Sequence, residues 1–203
     1  MDDDGDPSEP SPRDGQFVLA SGSPRRAEIL ERLEVDFDVV TADVDETALD
    51  GEDPVDMVLR LATDKAGAVA AEFPGRIVVA ADTLVVLDGE ALGKPHHPDA
   101  AAAMLRRLVG RSHDVVTGVC VHDADGLVST IVDVATVAMA DVGDDELDWY
   151  VATGEALDKA GAYALQGVGA VLVEHISGDP TTVIGLPFRR TVELLRAAGL
   201  DWP

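Results

Sequence analysis

From Gln16 onward, short apolar runs alternate with stretches whose apolar residues recur on the helical period. The runs read as strands at Phe17–Ala20, Asp38–Thr41 and Ile77–Ala81. "TLVVLDGEALG" reads as a hairpin turning at Asp88-Gly89. Two longer strands, near Asp114–His122 and Leu127–Ala140, flank the turn "DADG", and a last strand covers about Ala170–Ile176. Helices are expected at Pro24–Leu33, Pro54–Glu72, Pro98–Leu108, Asp144–Thr153 and Pro187–Ala198. In the second, Val55, Val58, Leu59, Ala62, Ala66 and Val69 share one face. No repeat recurs at a fixed period. The mixture predicts an α/β fold, a twisted mixed β-sheet with flanking helices.

The first fifteen residues, "MDDDGDPSEPSPRDG", are acidic and rich in Pro, Ser and Gly, and are expected to be a disordered extension of a domain over 16–203. Charge changes the picture further. With 39 acidic residues against 15 basic ones, the net charge is −24, which repels nucleic acid and anionic membranes. The acids are scattered along the chain, and abundant Asp and Ala with only three lysines fit adaptation to high salt. The lone Cys120, in "VTGVCVHD", excludes an internal disulfide and reads as a small buried residue. No apolar run reaches membrane-span length and no basic leader is visible, so a cytoplasmic location is expected.

One local conflict points to chemistry. In "LASGSPRRAEIL" a strand end is broken by Ser-Gly-Ser, and Pro24 opens a helix with Ser23 as its N-cap. Arg25 and Arg26 then occupy the first turn, where the helix dipole disfavours cations. A loop of hydroxyls (Ser21, Ser23) and backbone N–H groups at a helix start suits an anion, and two guanidinium groups beside it would clamp a polyphosphate. The three lysines, Lys65, Lys94 and Lys159, all fall in stretches that read as loops punctuated by Gly or Asp. Lysine binds phosphate as a point charge.

Asp82, in "IVVAADTLVV", reads as directly following an apolar strand, where an acid is either structurally paired or placed for metal or proton work. Glu46 stands in the acidic loop "TADVDETALD", in a chain where acidic loops abound. One or two such oxygen ligands plus substrate phosphates satisfy Mg²⁺. The five histidines lack zinc spacing and read as structural, although His96-His97, beside Lys94, could line a site mouth. Gln166, in "GAYALQGVGA", reads equally well as functional or structural, and Ser177–Pro180 reads as a simple turn.

"LASGSPRRAEIL", "DVDET", "DKAGAVA", "VVAADTLVVLDGEALGKP", "YVATGEALDKAGAYALQG" and "GLPFRRTVELL" follow one another in the order of the Maf family, which the chain resembles over nearly everything after Gly15. The resemblance implies a fold like that of inosine triphosphate pyrophosphatases. It implies hydrolysis of a nucleoside triphosphate between its α and β phosphates, assisted by a divalent cation, Mg²⁺ or Mn²⁺. It makes Asp82 the catalytic proton acceptor, while the local reading of the two carboxylates keeps Glu46 and Asp82 as metal ligands. Arg25, Thr83 and Gln166 fall at the specificity positions of the dTTP/UTP-cleaving branch, and Ser21, Arg26, Glu46, Lys65 and Lys94 at other polar positions of the family's pocket. Ser23 is kept as a substrate-binding residue on the local reading of its loop. It also implies a homodimer. "YALQG" and "GDPTTVIGLP" depart from the family's commoner patterns, the second near a substrate-facing loop. Two alternatives stand beside this reading: a nucleotide-binding regulator of cell division without significant turnover, and a pyrophosphatase for N7-methyl-GTP.

Overall fold

The computed structural model describes residues 15–203. The acidic extension expected at the N-terminus lies outside these residues, apart from Gly15. Strands are β1 (Phe17–Ala20), β2 (Phe37–Val40), β3 (Ile77–Leu87), β4 (Glu90–Leu92), β5 (Ser112–His122), β6 (Val128–Met139) and β7 (Val173–Ser177). Helices are α1 (Pro24–Glu31), α2 (Pro54–Glu72), α3 (Pro98–Leu108), α4 (Asp144–Ala152), α5 (Pro180–Ile184) and α6 (Phe188–Ala197), with 3₁₀ turns between α4 and β7. The sheet runs β2-β1-β3-β5-β6-β7, with β4 hairpinned onto β3. β1 pairs in parallel with β2 and β3, whereas β3, β5, β6 and β7 pair antiparallel. The expected twisted mixed sheet with flanking helices is what forms.

Period-two alternation assigns each strand residue to a layer. Val78 and Ala80 of β3, with Cys120 of β5, pack under Ala62, Ala66 and Val69 of α2. Ile77, Val79 and Ala81 face the other way, onto Ile29 and Leu30 of α1 and Val192 and Leu195 of α6. A third cluster joins α3 and α4 to the far ends of β3, β5 and β6 through Leu105, Leu147, Val85 and Met139. Cys120 is buried, as its strand context indicates. No helix among the described residues is long and apolar enough to cross a membrane.

Three local expectations change. The strand expected to end at Ala81 continues to Leu87, because β5 pairs with it from Val78↔His122 to Val86↔Asp114. Asp82 therefore sits inside a strand instead of after one. The turn expected at Ser177–Pro180 opens a short helix: Asp179 caps α5 by accepting from Thr181 N at 2.8 Å. The last strand starts at Val173, since Val168–Leu172 coil into a 3₁₀ turn held over β6 by a bond from Ala140 N to Leu172 O.

Candidate active site

β1 stops at Ala20 and pairs with β3 only as far as Leu19↔Val79. β3 runs on, and β4 covers its edge only from Val85. The stretch between, which holds Asp82 and Thr83, is the floor of a cleft of about 680 Å³ beyond the carboxyl end of β1. Open α/β sheets bind ligands at such a point, where neighbouring connections leave in opposite directions.

Because Asp82 and Thr83 are consecutive in a strand, their side chains leave opposite faces. Asp82, 8% exposed, meets the α2 layer, where Lys65 Nζ lies 2.6 Å from its Oδ1. The same ammonium lies 2.6 Å from Glu46 Oε1, so two carboxylates converge on one cation. Lys65 is itself 8% exposed and belongs to α2, as the helix expected over Pro54–Glu72 requires, which corrects the reading of its stretch as a loop. Its reach depends on Gly118, the cross-strand partner of Asp82. A Cβ there would stand 2.6 Å from Val58 O, so only glycine admits the α2 backbone this close. Burial pushes the Glu46 carboxyl up, but the Lys65 hydrogen bond and the charges of Lys65, Lys94 and Arg26 outweigh it, and its pKa is lowered.

Thr83 meets the α1 layer. Arg26 donates from Nη2 to Thr83 Oγ1 at 3.3 Å, from Nη1 to Ser21 Oγ at 3.1 Å and from Nε to Gly185 O at 2.8 Å. Three segments are thus locked to one guanidinium. Gly185 closes α5 at φ +123°, a conformation that favours glycine and turns its carbonyl to Arg26. Burial lowers the Arg26 pKa, with the neighbouring Asp82 charge opposing; arginine remains protonated regardless. Ser23 holds the N-cap position of α1, but its side chain makes no capping bond. Instead its N–H donates to Ser21 Oγ at 3.2 Å.

Of the residues singled out in the sequence, Ser21, Ser23, Arg25, Arg26, Glu46, Lys65, Asp82, Thr83, Lys94 and Gln166 line this one cleft, whereas His97 stands at the N-cap position of α3 outside its lining. Arg25 and Lys94 have no ion-pair partner among the described residues, and Gln166 donates from Nε2 to Glu28 Oε2 at 3.4 Å. Lys159 joins them beside Asp158, so every lysine of the chain lines the cleft, as does His96. The scarcity of lysine was the signal for Lys159. Nothing local marks Gly185, whose part is played by a carbonyl, or Thr117, the cross-strand partner whose hydroxyl meets that of Thr83.

Fold and site define an α/β protein with a cation-lined, carboxylate-bearing cleft at its sheet's open edge. The chain belongs to the Maf family, whose model, described as Maf-like protein, matches residues 16–198. A relative from Anaeromyxobacter dehalogenans (strain 2CP-C), named dTTP/UTP pyrophosphatase, is 52% identical over 191 residues, 93% of this chain and 96% of that protein. One from Symbiobacterium thermophilum, of the same name, is 48% identical over 185 residues, 91% and 94% of the two chains. Among solved structures, the Staphylococcus aureus Ham1 protein matches with a TM-score of 0.52 and 17% identity, over 89% of this chain and 96% of that one. That likeness is one of fold.

Proposed function

We propose that this chain hydrolyses dTTP and UTP between the α and β phosphates, releasing a nucleoside monophosphate and pyrophosphate, and so limits the supply of unwanted nucleotides for incorporation. The observation that carries the reading is the gathering of Arg25, Arg26 and all three lysines around Asp82 in a molecule of net charge −24. Such a cleft attracts a polyanion that the rest of the surface repels. The names of the relatives above support the same activity.

In this reading the guanidinium and ammonium groups hold the triphosphate and offset the charge that builds on it during hydrolysis. Asp82 accepts the proton of the attacking water. Glu46 and Asp82 would hold a divalent cation. Among the described residues no three His, Cys, Asp or Glu side chains form a cage. These two hard oxygen donors already converge on one cation, however, and substrate phosphates complete the kind of set Mg²⁺ or Mn²⁺ accepts. When bound, such an ion polarises a phosphoryl oxygen. Thr83 and Gln166 face the nucleoside. A homodimer, which the family resemblance implies, and a cytoplasmic location belong to the same reading.

The test is pyrophosphate release from a panel of nucleoside triphosphates, N7-methyl-GTP included, with Mg²⁺, Mn²⁺ or chelator. The highest kcat/KM should fall on dTTP and UTP, and Asp82→Asn should lose on the order of 10²–10⁴-fold in rate while staying folded. Release of orthophosphate in place of pyrophosphate would refute the reaction. Nucleotide binding without turnover would favour the regulator.

A further inference from the structure

Glu155 is outside the cleft lining, yet its carboxylate joins two segments of the cleft wall. It opens the 3₁₀ turn Glu155–Asp158, which leads into Lys159. Its Oε1 accepts from Gly169 N at 2.8 Å and from the Tyr150 hydroxyl at 3.0 Å, and its Oε2 accepts from Val168 N at 3.0 Å. All three partners donate, so both carboxylate oxygens serve as acceptors.

The turn is moulded to this carboxylate. A Cβ on Gly167 would lie 1.9 Å from Glu155 Oε2, and one on Gly169 would lie 2.6 Å from the Tyr150 hydroxyl. Backbone atoms of Ala164 within 3.0 Å also confine Gly169, so glycine is required there, whereas a methyl at Gly167 would have to displace the Glu155 carboxylate. Gln166 immediately precedes this clamp. The chain contains two glutamines and no asparagine, and Gln166 is the one side-chain amide in the cleft lining. Its contact with Glu28 sets which way the amide faces. Glu28 can only accept, so Nε2 is turned to it and Oε1 remains as an acceptor. An acceptor pairs with the imide N3–H of uracil or thymine. Cytosine has no hydrogen at N3.

We propose that Glu155 is a positioning residue for nucleobase selection, fixing the Gly167–Gly169 turn so that Gln166 offers its carbonyl oxygen to the imide of a uracil or thymine base. This rests on the reading that the cleft takes a nucleoside triphosphate.

The experiment measures binding of α,β-imido-dUTP and α,β-imido-dCTP by calorimetry, so that no turnover is needed. The wild-type chain should prefer the uracil analogue. Glu155→Gln sets an NH₂ among three donors, and should weaken that analogue about tenfold while leaving the cytosine analogue within about twofold. A purely structural role would weaken both equally, which overturns the proposal, as would equal wild-type affinities. Should Glu155→Gln fail to fold, Gly167→Ala strikes the same contact from the other side. It should weaken the uracil analogue selectively, and equal weakening of both analogues would overturn the proposal. Selective binding without pyrophosphate release refutes the proposed activity alone. Release with selectivity unchanged by Glu155→Gln refutes this inference alone.

Discussion

Thr83 and Thr117 are cross-strand partners on β3 and β5, with hydroxyl oxygens 2.9 Å apart. Thr117, fully buried, donates its hydrogen to Thr182 O at 2.9 Å, so Thr83 is the donor between the two hydroxyls. Arg26 in turn donates to Thr83, and polarity runs from the cleft through the sheet to α5. Beyond it, Thr182 donates to Asp133 Oδ2 at 2.6 Å and Arg190 to Asp133 Oδ1 at 3.0 Å.

Thr117→Val keeps the shape and removes this link. It leaves Thr182 O without its donor, at a cost of about 1–3 kcal/mol in urea unfolding. With Thr83 freed to swing toward Gly185 O, KM for dTTP should rise several-fold.

Arg26→Lys keeps the charge but loses the fork that reaches Ser21, Thr83 and Gly185 together. An ammonium on a flexible stem cannot span three fixed acceptors. A fall in kcat/KM of about two orders of magnitude is expected, equivalent to about 3 kcal/mol. Unchanged kinetics would show that charge alone suffices.

Gly118→Ala tests how closely α2 must approach. The new methyl meets backbone atoms of Val58, which cannot rotate aside, so stability should fall by about 1–3 kcal/mol. The displaced helix should also carry Lys65 away from Asp82 and lower turnover. Loss of stability with full activity would mean that the pair tolerates a longer reach.

His113 gives a pH signature. It is 3% exposed, its Nε2 meets the Tyr163 hydroxyl at 2.8 Å and its Nδ1 has no partner. Burial lowers its pKa to about 4, with Asp114 opposing. The unfolded chain, with an ordinary histidine near 6.5, then binds a proton before the folded one does. Stability is complete above pH 6.5 and falls toward pH 4 by up to about 3 kcal/mol. Glu52, lowered to about 2 by Arg60, acts in the separate window between 4.5 and 2. Urea unfolding at pH 7, 5.5 and 4.5 should show the first loss, and His113→Gln should flatten it.

Salt should stabilise the chain. Exposed pairs such as Arg106–Asp144 and Arg107–Glu90 weaken with screening, but pairs held in water add little to stability. Self-repulsion at net charge −24 is the larger quantity and is relieved by the same ions. The melting midpoint should rise from dilute buffer to molar KCl, and equal midpoints would remove the high-salt reading.

Much of the fold was legible locally. The bounds of β1, α2 and α3 agree with expectation to the residue, because apolar period and a helix-opening proline act within a few residues of one another. The site's membership was legible too. Lysines are so rare here that their placement stood out, and two arginines in a helix's first turn violate the local electrostatic rule. The misjudged places share a cause. Asp82 seemed to end a strand because a carboxylate inside one is unfavourable without a partner, and its partner Lys65 stands seventeen residues earlier on another element. α5 is too short for a periodic signal and depends on a single Asp179 cap.

The order of residues alone determined which segments become strands or helices and which cationic side chains stand out in an acidic chain. Tertiary structure decided which cation faces which acid. It ran β3 past β1 to open the cleft, let α2 settle on Gly118 so that Lys65 reaches Asp82 and Glu46, and turned Gly185 toward Arg26. The reason is range: propensity and period act over one or two helical turns, whereas a buried charge is stabilised only by the partner that folding brings to it.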